Sequence, residues 1–248
     1  MINIVLPMAG RGSRFLEKGY TTPKPLLEIN EKRMIQGVID NLTPQTDHRF
    51  IFICQEEHLI EFNLQRHLNE WSPGCKIITI DHITQGAACT VLLAEELIDN
   101  SSELMIANSD QWVDIDINQY LQSLTLNNLD GLIMTMTAKD DKWSFVGMDN
   151  DAKYVTRVVE KEVISNEATV GIYNFKSGQF FCDAARQMIE LKKMVNNEYY
   201  VAPAYNEMIS LGMKVGIYNI GSINDGMYGL GTPEDLESFK SMDISESF

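Results

Sequence analysis

The sequence predicts an α/β protein with a single, mostly parallel, Rossmann-like sheet. Short apolar runs alternate with amphipathic stretches along the first half of the chain, which is typical of strands that are covered on both faces and joined by helices. This strand, helix, strand order implies right-handed crossovers between parallel strands. In the second half, three strand-like runs follow one another without helices between them. They predict an antiparallel insertion within the same domain.

Apolar or β-branched runs predict the strands of the first half, at residues 3–6, 50–54, 76–80, 104–107 and 132–137. Apolar side chains at helical spacing predict the helices between these strands, over residues 34–42, 59–68 and 91–98. For the second half we expect strands at 145–148, 154–159, 170–175 and 214–220 and helices at 180–194 and 203–211.

The C-terminal part of the chain carries a helix start. Thr232 is a favoured N-cap, Pro233 suits the first helical position, and Glu234 and Asp235 make the first turn acidic. No Pro/Gly/Ser-rich linker divides the chain, so we expect one domain over residues 1–240, with two halves meeting near residue 137. Residues 241–248 are expected to form a loose tail.

Composition excludes several classes of protein. The chain has 248 residues, of which 44% are hydrophobic and 22% charged, so it can bury a core and does not resemble a disordered chain. Lys and Arg number 20 against 35 Asp and Glu, a formal net charge of −15. A polyanion is repelled by such a surface, which argues against nucleic-acid binding. A compact phosphate can still be bound within a cleft.

Localisation follows from two further patterns. The four cysteines have no metal-ligand spacing and lie in apolar or helix-like stretches, which indicates reduced thiols rather than a zinc site or a disulfide framework. No apolar run approaches the length of a membrane span, and the N-terminus lacks the basic region of a signal peptide. We therefore expect a soluble, cytoplasmic protein that does not enter a membrane.

A glycine-rich loop follows the first predicted strand, where residues 6–15 read LPMAGRGSRF. Gly10 and Gly12 allow backbone N–H groups to approach phosphate oxygens, and Arg14 and Lys24 add positive charge. Phe15 stands where a dinucleotide fingerprint requires a third small residue, and no GxxxxGK[ST] motif is present. The loop therefore predicts phosphate binding of another kind; a glycine-rich turn without function is the alternative.

The loop and the later segment Pro23-Lys24-Pro25-Leu26 together resemble the signature of the sugar-phosphate nucleotidyltransferases, the nucleoside-diphosphate-sugar pyrophosphorylases of GT-A type fold. Residues 197–206 resemble a segment found in a subset of capsule and lipopolysaccharide cytidylyl- and related nucleotidyltransferases. Further motifs with the family's pattern stand at Gln85-Gly86, Asn108-Ser109-Asp110, Glu160-Lys161, 168–173 and 231–235.

The resemblance implies a reaction in which a phosphomonoester oxygen attacks the α-phosphorus of a nucleoside triphosphate and pyrophosphate leaves. Such chemistry depends on alignment and charge neutralisation. The resemblance assigns catalytic roles to Arg14, Lys24 and Asp110. It places nucleotide binding in residues 1–137, at Pro7, Met8, Ala9, Gly10, Gly12, Ser13, Arg14, Lys24, Gln85 and Gly86. It places acceptor binding in residues 138–240, at Glu160, Lys161, Thr169 and Gly171.

A Mg²⁺ site is expected at Asp110, because this carboxylate follows an apolar strand and so lies at the carboxyl edge of the sheet. The alternative is an aspartate that caps a helix or a turn. The family often has a second aspartate where this chain has Gly229. Asp225 is the candidate for the missing ligand, although Asn224-Asp225-Gly226 is also an ordinary turn sequence.

The substrates are less constrained than the reaction. The amide of Gln85 suits a pyrimidine edge, which favours CTP, UTP or dTTP. The acceptor is a sugar phosphate or another phosphomonoester, and the product is expected to be a precursor for capsule or lipopolysaccharide. A GT-A glycosyltransferase is disfavoured because Asp110-Gln111-Trp112 lacks the second carboxylate of a DxD pair. A non-catalytic nucleotide-binding domain is the other alternative, and a homo-oligomeric state stays open.

Overall fold

The computed structural model describes all 248 residues of the chain. Its main sheet has eleven strands, and a separate two-stranded ribbon consists of β2 and β3. The strands are β1 (Ile2–Pro7), β2 (Glu28–Ile29), β3 (Lys32–Arg33), β4 (His48–Gln55), β5 (Lys76–Ile80), β6 (Glu103–Ala107), β7 (Gln111–Val113), β8 (Gly131–Thr137), β9 (Ser144–Met148), β10 (Val155–Glu160), β11 (Glu167–Phe175), β12 (Val215–Ile223) and β13 (Gly226–Gly229).

Ten α-helices and three short 3₁₀ turns connect these strands. None of the helices is both long enough and apolar enough to cross a membrane. The α-helices are α1 (Ser13–Glu17), α2 (Met34–Leu42), α3 (Glu56–Glu61), α4 (Leu64–Trp71), α5 (Ala87–Leu92), α6 (Glu95–Ile98), α7 (Ile117–Leu126), α8 (Gly178–Glu190), α9 (Tyr205–Ser210) and α10 (Pro233–Lys240).

The order of the main sheet is β5-β4-β1-β6-β11-β8-β12-β13-β7, and β9 and β10 attach beside β11. The first four of these strands pair in parallel, whereas β11 is antiparallel to both β6 and β8. The predicted α/β class and largely parallel sheet are confirmed. The antiparallel insertion is not confined to an edge, because β11 lies in the centre of the sheet and joins the two halves of the chain.

Strand alternation divides the core into two layers. In β1, Ile4 and Leu6 belong to one hydrophobic cluster and Val5 to another. Successive side chains of a strand point to opposite faces of the sheet, so the two clusters cover its two sides. This double coverage explains why the strands of the first half appear in the sequence as continuous apolar runs.

Two predicted helices are each divided in the structure. The helix expected over 59–68 consists of α3 and α4, because Asn63 adopts a left-handed conformation with φ of 51°. The helix expected over 91–98 consists of α5 and α6. Asparagine tolerates positive φ through its short polar side chain, so the break at Asn63 costs little free energy. No glycine or proline marks this break in the sequence.

The C-terminal residues differ from the expected loose tail. They form a 3₁₀ turn over Asp243–Ser247, and Asn30 donates a hydrogen bond of 2.7 Å to the carbonyl of Ser245. The ring of Phe248 is only 5% exposed and packs directly over Gly37 of α2. A buried aromatic residue of this size anchors the segment, so Phe248 joins the hydrophobic cluster that contains Phe239 of α10.

Candidate active site

The glycine-rich loop connects β1 to the short helix α1. Gly12 has φ of +61°, and a Cβ placed on it would lie 3.5 Å from Cβ of Lys24. The loop therefore packs closely against the segment that carries Lys24. Phe15, the first large apolar residue after the glycines, belongs to a third hydrophobic cluster together with Trp112 and Phe239. This cluster fixes the base of the loop against the C-terminal helix α10.

Lys24 and Asp110 form an ion pair at the centre of the site. The distance from Nζ of Lys24 to Oδ2 of Asp110 is 2.8 Å, and the two side chains are 22% and 25% exposed. Burial raises the pKa of Asp110, but the charge and hydrogen bond of Lys24, with the charge of Arg14, outweigh it and lower that pKa. Asp110 is therefore ionised at neutral pH.

A cavity of about 200 Å³ lies beside this pair. Asn108 and Asp110 reach it from the end of β6, the carboxyl edge at which open α/β sheets collect ligands. Pro7, Met8, Gly10 and Lys24 line its other side. These four residues were all expected to bind nucleotide, and the structure brings them together around one opening.

The segment around Gly86 lines a neighbouring cavity of about 210 Å³ together with Pro7, Ala9 and Gly10. Gly86 has φ of +112°, and a Cβ there would lie 2.6 Å from the carbonyl oxygen of Tyr199. Its lack of a side chain therefore admits the backbone of Tyr199. Three other residues expected to bind nucleotide lie outside the cavities described here: Gly12, Ser13 and Gln85.

The expected acceptor residues Glu160, Thr169 and Gly171 line a third cavity of about 200 Å³. Ser144 donates a hydrogen bond to Oε2 of Glu160. Burial raises the pKa of Glu160, and the hydrogen bond from Ser144 and the charge of Lys161 only partly offset that effect. Asn108 lines this cavity as well as the one beside Lys24, so one side chain borders both openings.

Lys161 does not line the third cavity but approaches it through Tyr200, which does. Nζ of Lys161 donates a hydrogen bond of 3.0 Å to the hydroxyl of Tyr200 and lies 5.2 Å from the centre of its ring. Lys161 also has φ of 56°, an uncommon conformation for a residue with a side chain. Its ammonium is thus held at the edge of this third cavity.

Gly171 lies at an irregularity in the pairing of β11 with β8, between Thr169 and Tyr173. A Cβ at Gly171 would lie 2.2 Å from Nδ2 of Asn108 and 3.0 Å from Oε1 of Gln111. The glycine is therefore required at a bulge, where its bare backbone accommodates two polar side chains.

A fourth cavity of about 250 Å³ lies between Asp110 and the C-terminal helix. Arg14 lines it, whereas Asp225 does not; Asp225 is exposed in the turn that connects β12 and β13.

Motif reasoning gave no ligand-binding role to several residues of these cavities. They are Asn108, Gln111 and Asp235. Asn108 follows an apolar strand directly, a signal that could have identified it, whereas the other two depend on tertiary contacts.

Comparison with known proteins assigns the chain to a family. The family model described as nucleotidyl transferase matches residues 2–217. The chain belongs to the nucleotidyl transferase family. This assignment confirms the resemblance to nucleotidyltransferases noted in the sequence and the enzyme class that it implied.

Curated relatives of this nucleotidyl transferase are distant. The catalytic subunit beta of a mannose-1-phosphate guanylyltransferase from Danio rerio is 26% identical over 175 residues, which cover 68% of this chain and 48% of the relative. The bifunctional protein GlmU from Methanococcus aeolicus is 23% identical over 240 residues, which cover 95% of this chain and 53% of the relative. The chain thus spans about half the length of these two relatives.

Solved structures share the fold of this nucleotidyl transferase over almost its whole length. A nucleoside-diphosphate-sugar pyrophosphorylase from Vibrio cholerae RC9 has a TM-score of 0.80 and 25% identity, covering 96% of this chain and 100% of that one. An inositol-1-phosphate CTP transferase from T. maritima has a TM-score of 0.68 and 14% identity, covering 98% of this chain and 93% of that one. The second likeness shows the fold alone.

Proposed function

We propose that this nucleotidyl transferase joins a pyrimidine nucleoside triphosphate to a phosphomonoester in a Mg²⁺-dependent reaction. One observation carries the proposal: the Lys24–Asp110 pair lies beside a cavity lined by the glycine-rich loop, and Asn108 lines both that cavity and the Glu160 cavity. A cation, a carboxylate and two adjoining openings are what the meeting of two anionic phosphates requires.

In this reaction an oxygen of the acceptor phosphate forms a bond to the α-phosphorus, and the bond from that phosphorus to the bridging oxygen of the β-phosphate breaks. The electron pair leaves with pyrophosphate, and no protein nucleophile is needed. Lys24 neutralises phosphate charge from a backbone restricted by Pro23 and Pro25. Arg14 can bind phosphate oxygens in a bidentate manner and stabilise the departing pyrophosphate.

The residues present fit a Mg²⁺ ion. Asp110 offers an ionised carboxylate that borders two of the cavities, and Mg²⁺ prefers oxygen ligands completed by water and phosphate oxygens. Bound there, the ion would neutralise developing charge on the phosphates. Asp110 would hold it, and Lys24 would then be free to bind phosphate instead of the carboxylate.

The acceptor is proposed to be a sugar phosphate or another phosphomonoester. Glu160 offers carboxyl oxygens to hydroxyl groups within a half-buried cavity, and Lys161 at its edge suits the phosphate. Among the solved structures of this fold are a UDP-glucose pyrophosphorylase complexed with UDP-glucose and the inositol-1-phosphate CTP transferase. The resemblance of residues 197–206 to a segment of capsule and lipopolysaccharide cytidylyl- and related nucleotidyltransferases supports a pyrimidine nucleotide and a step in capsule or lipopolysaccharide synthesis.

Pyrophosphate release tests the proposal. The full chain with Mg²⁺ is incubated with CTP, UTP, dTTP, ATP or GTP and a panel of sugar 1-phosphates, phospho-amino acids and phosphoalcohols. We expect release that requires a pyrimidine triphosphate and an acceptor together. Release with GTP only would contradict the base preference, a point that matters because one relative is a guanylyltransferase. Transfer from a nucleotide sugar without pyrophosphate release would favour the glycosyltransferase alternative.

A further inference from the structure

We propose that Asp235, in the first turn of α10, supplies the second carboxylate of a divalent-cation site whose first carboxylate is Asp110. The inference rests on the proposed function and identifies a ligand that the glycine-rich loop and the strand-end motif do not contain. It also assigns this role to Asp235 rather than to Asp225, the candidate suggested by the sequence.

Each of the two carboxylates lies next to a glycine. A Cβ on Gly231 would lie 3.0 Å from Oδ2 of Asp110, and a Cβ on Gly229 would lie 3.8 Å from Oδ2 of Asp235. Both aspartates and both glycines line the same cavity of about 250 Å³. The segment that precedes α10 therefore presents bare backbone to each carboxylate, and both aspartate side chains border that cavity.

The position of Asp235 is fixed by its helix. Its backbone N–H donates a hydrogen bond of 3.1 Å to Oγ1 of Thr232, the N-cap of α10. One turn further on, the ring of Phe239 packs against Trp112 and Tyr228 with centroid separations of 6.0 and 5.5 Å. The carboxylate of Asp235 forms no ion pair with any Lys or Arg. It is therefore positioned and available.

An independent observation indicates a ligand in this cavity. Gln111 lines it and is only 6% exposed, yet its Nε2 has no hydrogen-bond partner. Buried amide donors are almost always paired, and one left unpaired costs about 1–3 kcal/mol. Trp143 lines the same cavity and its buried Nε1 also lacks a partner. Water or phosphate oxygens bound to a cation would accept from both donors.

Direct cation binding tests the assignment without turnover. Mn²⁺ is the probe, because it shares the preference of Mg²⁺ for oxygen ligands, and electron paramagnetic resonance separates free from bound ion. The Kd for Mn²⁺ is measured on the full chain, on Asp235→Asn and on Asp225→Asn, with Glu237→Gln as the matched control from the exposed side of α10. We expect Asp235→Asn to raise the Kd at least tenfold and the other two variants to change it less than twofold.

A rescue variant separates loss of a ligand from a folding defect. Gly229 has no positive φ, and its hypothetical Cβ makes only ordinary contacts, so Gly229→Asp places a new carboxylate beside the same cavity. The double variant Asp235→Asn/Gly229→Asp is expected to recover a Kd within threefold of the parent chain. Asp235→Asn combined with Gly229→Ala, which adds the Cβ without the carboxylate, should not recover it.

Four results would overturn the assignment: no Mn²⁺ binding by the parent chain, an unchanged Kd in Asp235→Asn, a tenfold loss in Asp225→Asn, or recovery by the Gly229→Ala double variant. Pyrophosphate release is scored separately. If Asp235→Asn loses Mn²⁺ binding but the parent chain shows no transferase activity, the cation site stands and the proposed function is refuted. If the parent chain is active but Asp235→Asn binds Mn²⁺ as tightly as the parent, the proposed function stands and the cation site is refuted.

Discussion

Replacing Gly86 with alanine tests how the two halves of the site are joined. Two backbone hydrogen bonds connect the segments, from Tyr199 N to Gln85 O at 2.8 Å and from Ala88 N to Tyr199 O at 3.0 Å. A Cβ at Gly86 would lie 2.6 Å from the oxygen and 2.7 Å from the nitrogen of Tyr199. Both obstructing atoms belong to the backbone, so no side-chain rotation relieves the overlap.

The cost has two parts. Gly86 has φ of 112° and ψ of 172°, a region essentially restricted to glycine, and occupying it with alanine costs about 1–3 kcal/mol. Moving Tyr199 away breaks two hydrogen bonds, each with a net value of about 0.5–1.5 kcal/mol. The sum, about 2–6 kcal/mol, is a large fraction of the roughly 5–15 kcal/mol by which a domain is stable.

Urea unfolding measures this loss, and Gly74→Ala is the matched control. Gly74 also has a positive φ, +83°, but nothing lies within 4 Å of its hypothetical Cβ, so its replacement incurs backbone strain alone. Gly86→Ala should also raise the KM of both substrates, because displacing Tyr199 moves its chain neighbours Glu198 and Tyr200. Glu198 lines the cavity beside Gly86, and Tyr200 lines the Glu160 cavity. A free energy of unfolding equal to that of Gly74→Ala, with both KM values unchanged, would refute this account of Gly86.

Three further predictions concern the charged groups of the site. Lys24→Ala should lower turnover in the pyrophosphate assay at least tenfold, about 1.4 kcal/mol of barrier, and activity within twofold of the parent chain would exclude the role given to this lysine. Tyr200→Phe removes the hydroxyl that accepts from Lys161, so the acceptor KM should rise about twofold to tenfold, the value of one hydrogen bond, with kcat less affected; an unchanged KM would argue against positioning of Lys161 by Tyr200. Burial raises the pKa of Glu160, so the folded chain holds the proton of this carboxyl more tightly than the unfolded chain does. The stability that this proton contributes is fully present below the unfolded-state pKa and is lost as the pH rises through the folded-state pKa. Glu160→Gln does not titrate and should therefore gain stability relative to the parent chain as the pH rises above the ordinary glutamate pKa of about 4.3 in urea unfolding; a constant or shrinking difference would contradict the raised pKa.

The strands of the first half could be predicted because their burial is uniform. β4 places Phe50 and Phe52 in one layer and Ile51 in the other, so every residue of the run is apolar and the local sequence is sufficient. The break between α3 and α4 could not be predicted in this way. Ile60 fits the helical spacing yet is 75% exposed, and Asn63 is compatible with a helix as well as with the left-handed conformation it adopts.

The tail shows a limit of a different kind. Short C-terminal segments are usually loose unless something holds them, and nothing near Phe248 in the sequence indicates a partner. The partner is Gly37, which is distant in the chain and whose missing side chain makes room for the ring. Only the folded structure reveals such a pairing of a glycine with an aromatic residue.

Motifs indicated the part of the candidate site in which residues are neighbours in the sequence, and contacts between distant residues determine the rest. The glycine-rich loop and the segment Asn108-Ser109-Asp110 each follow a strand, so local sequence was enough to place them at the sheet edge. The contact of Lys161 with Tyr200 and the approach of Gln111 to Gly171 of β11 each join residues that are distant in the sequence. No spacing in the sequence encodes that arrangement.

The Lys24–Asp110 pair unites two roles that the sequence assigned separately, one to phosphate and one to a cation. A partly buried carboxylate with a lowered pKa requires a positive partner, and in the structure that partner is Lys24. A divalent cation bound at Asp110 therefore competes with Lys24, and phosphate bound by Lys24 removes the competitor. Cation binding to Asp110 and phosphate binding to Lys24 both require the ion pair to open, so each should strengthen the other by the same factor. Lys24→Ala is then expected to tighten Mn²⁺ binding while it weakens turnover, a pair of opposite effects that a purely structural ion pair would not produce.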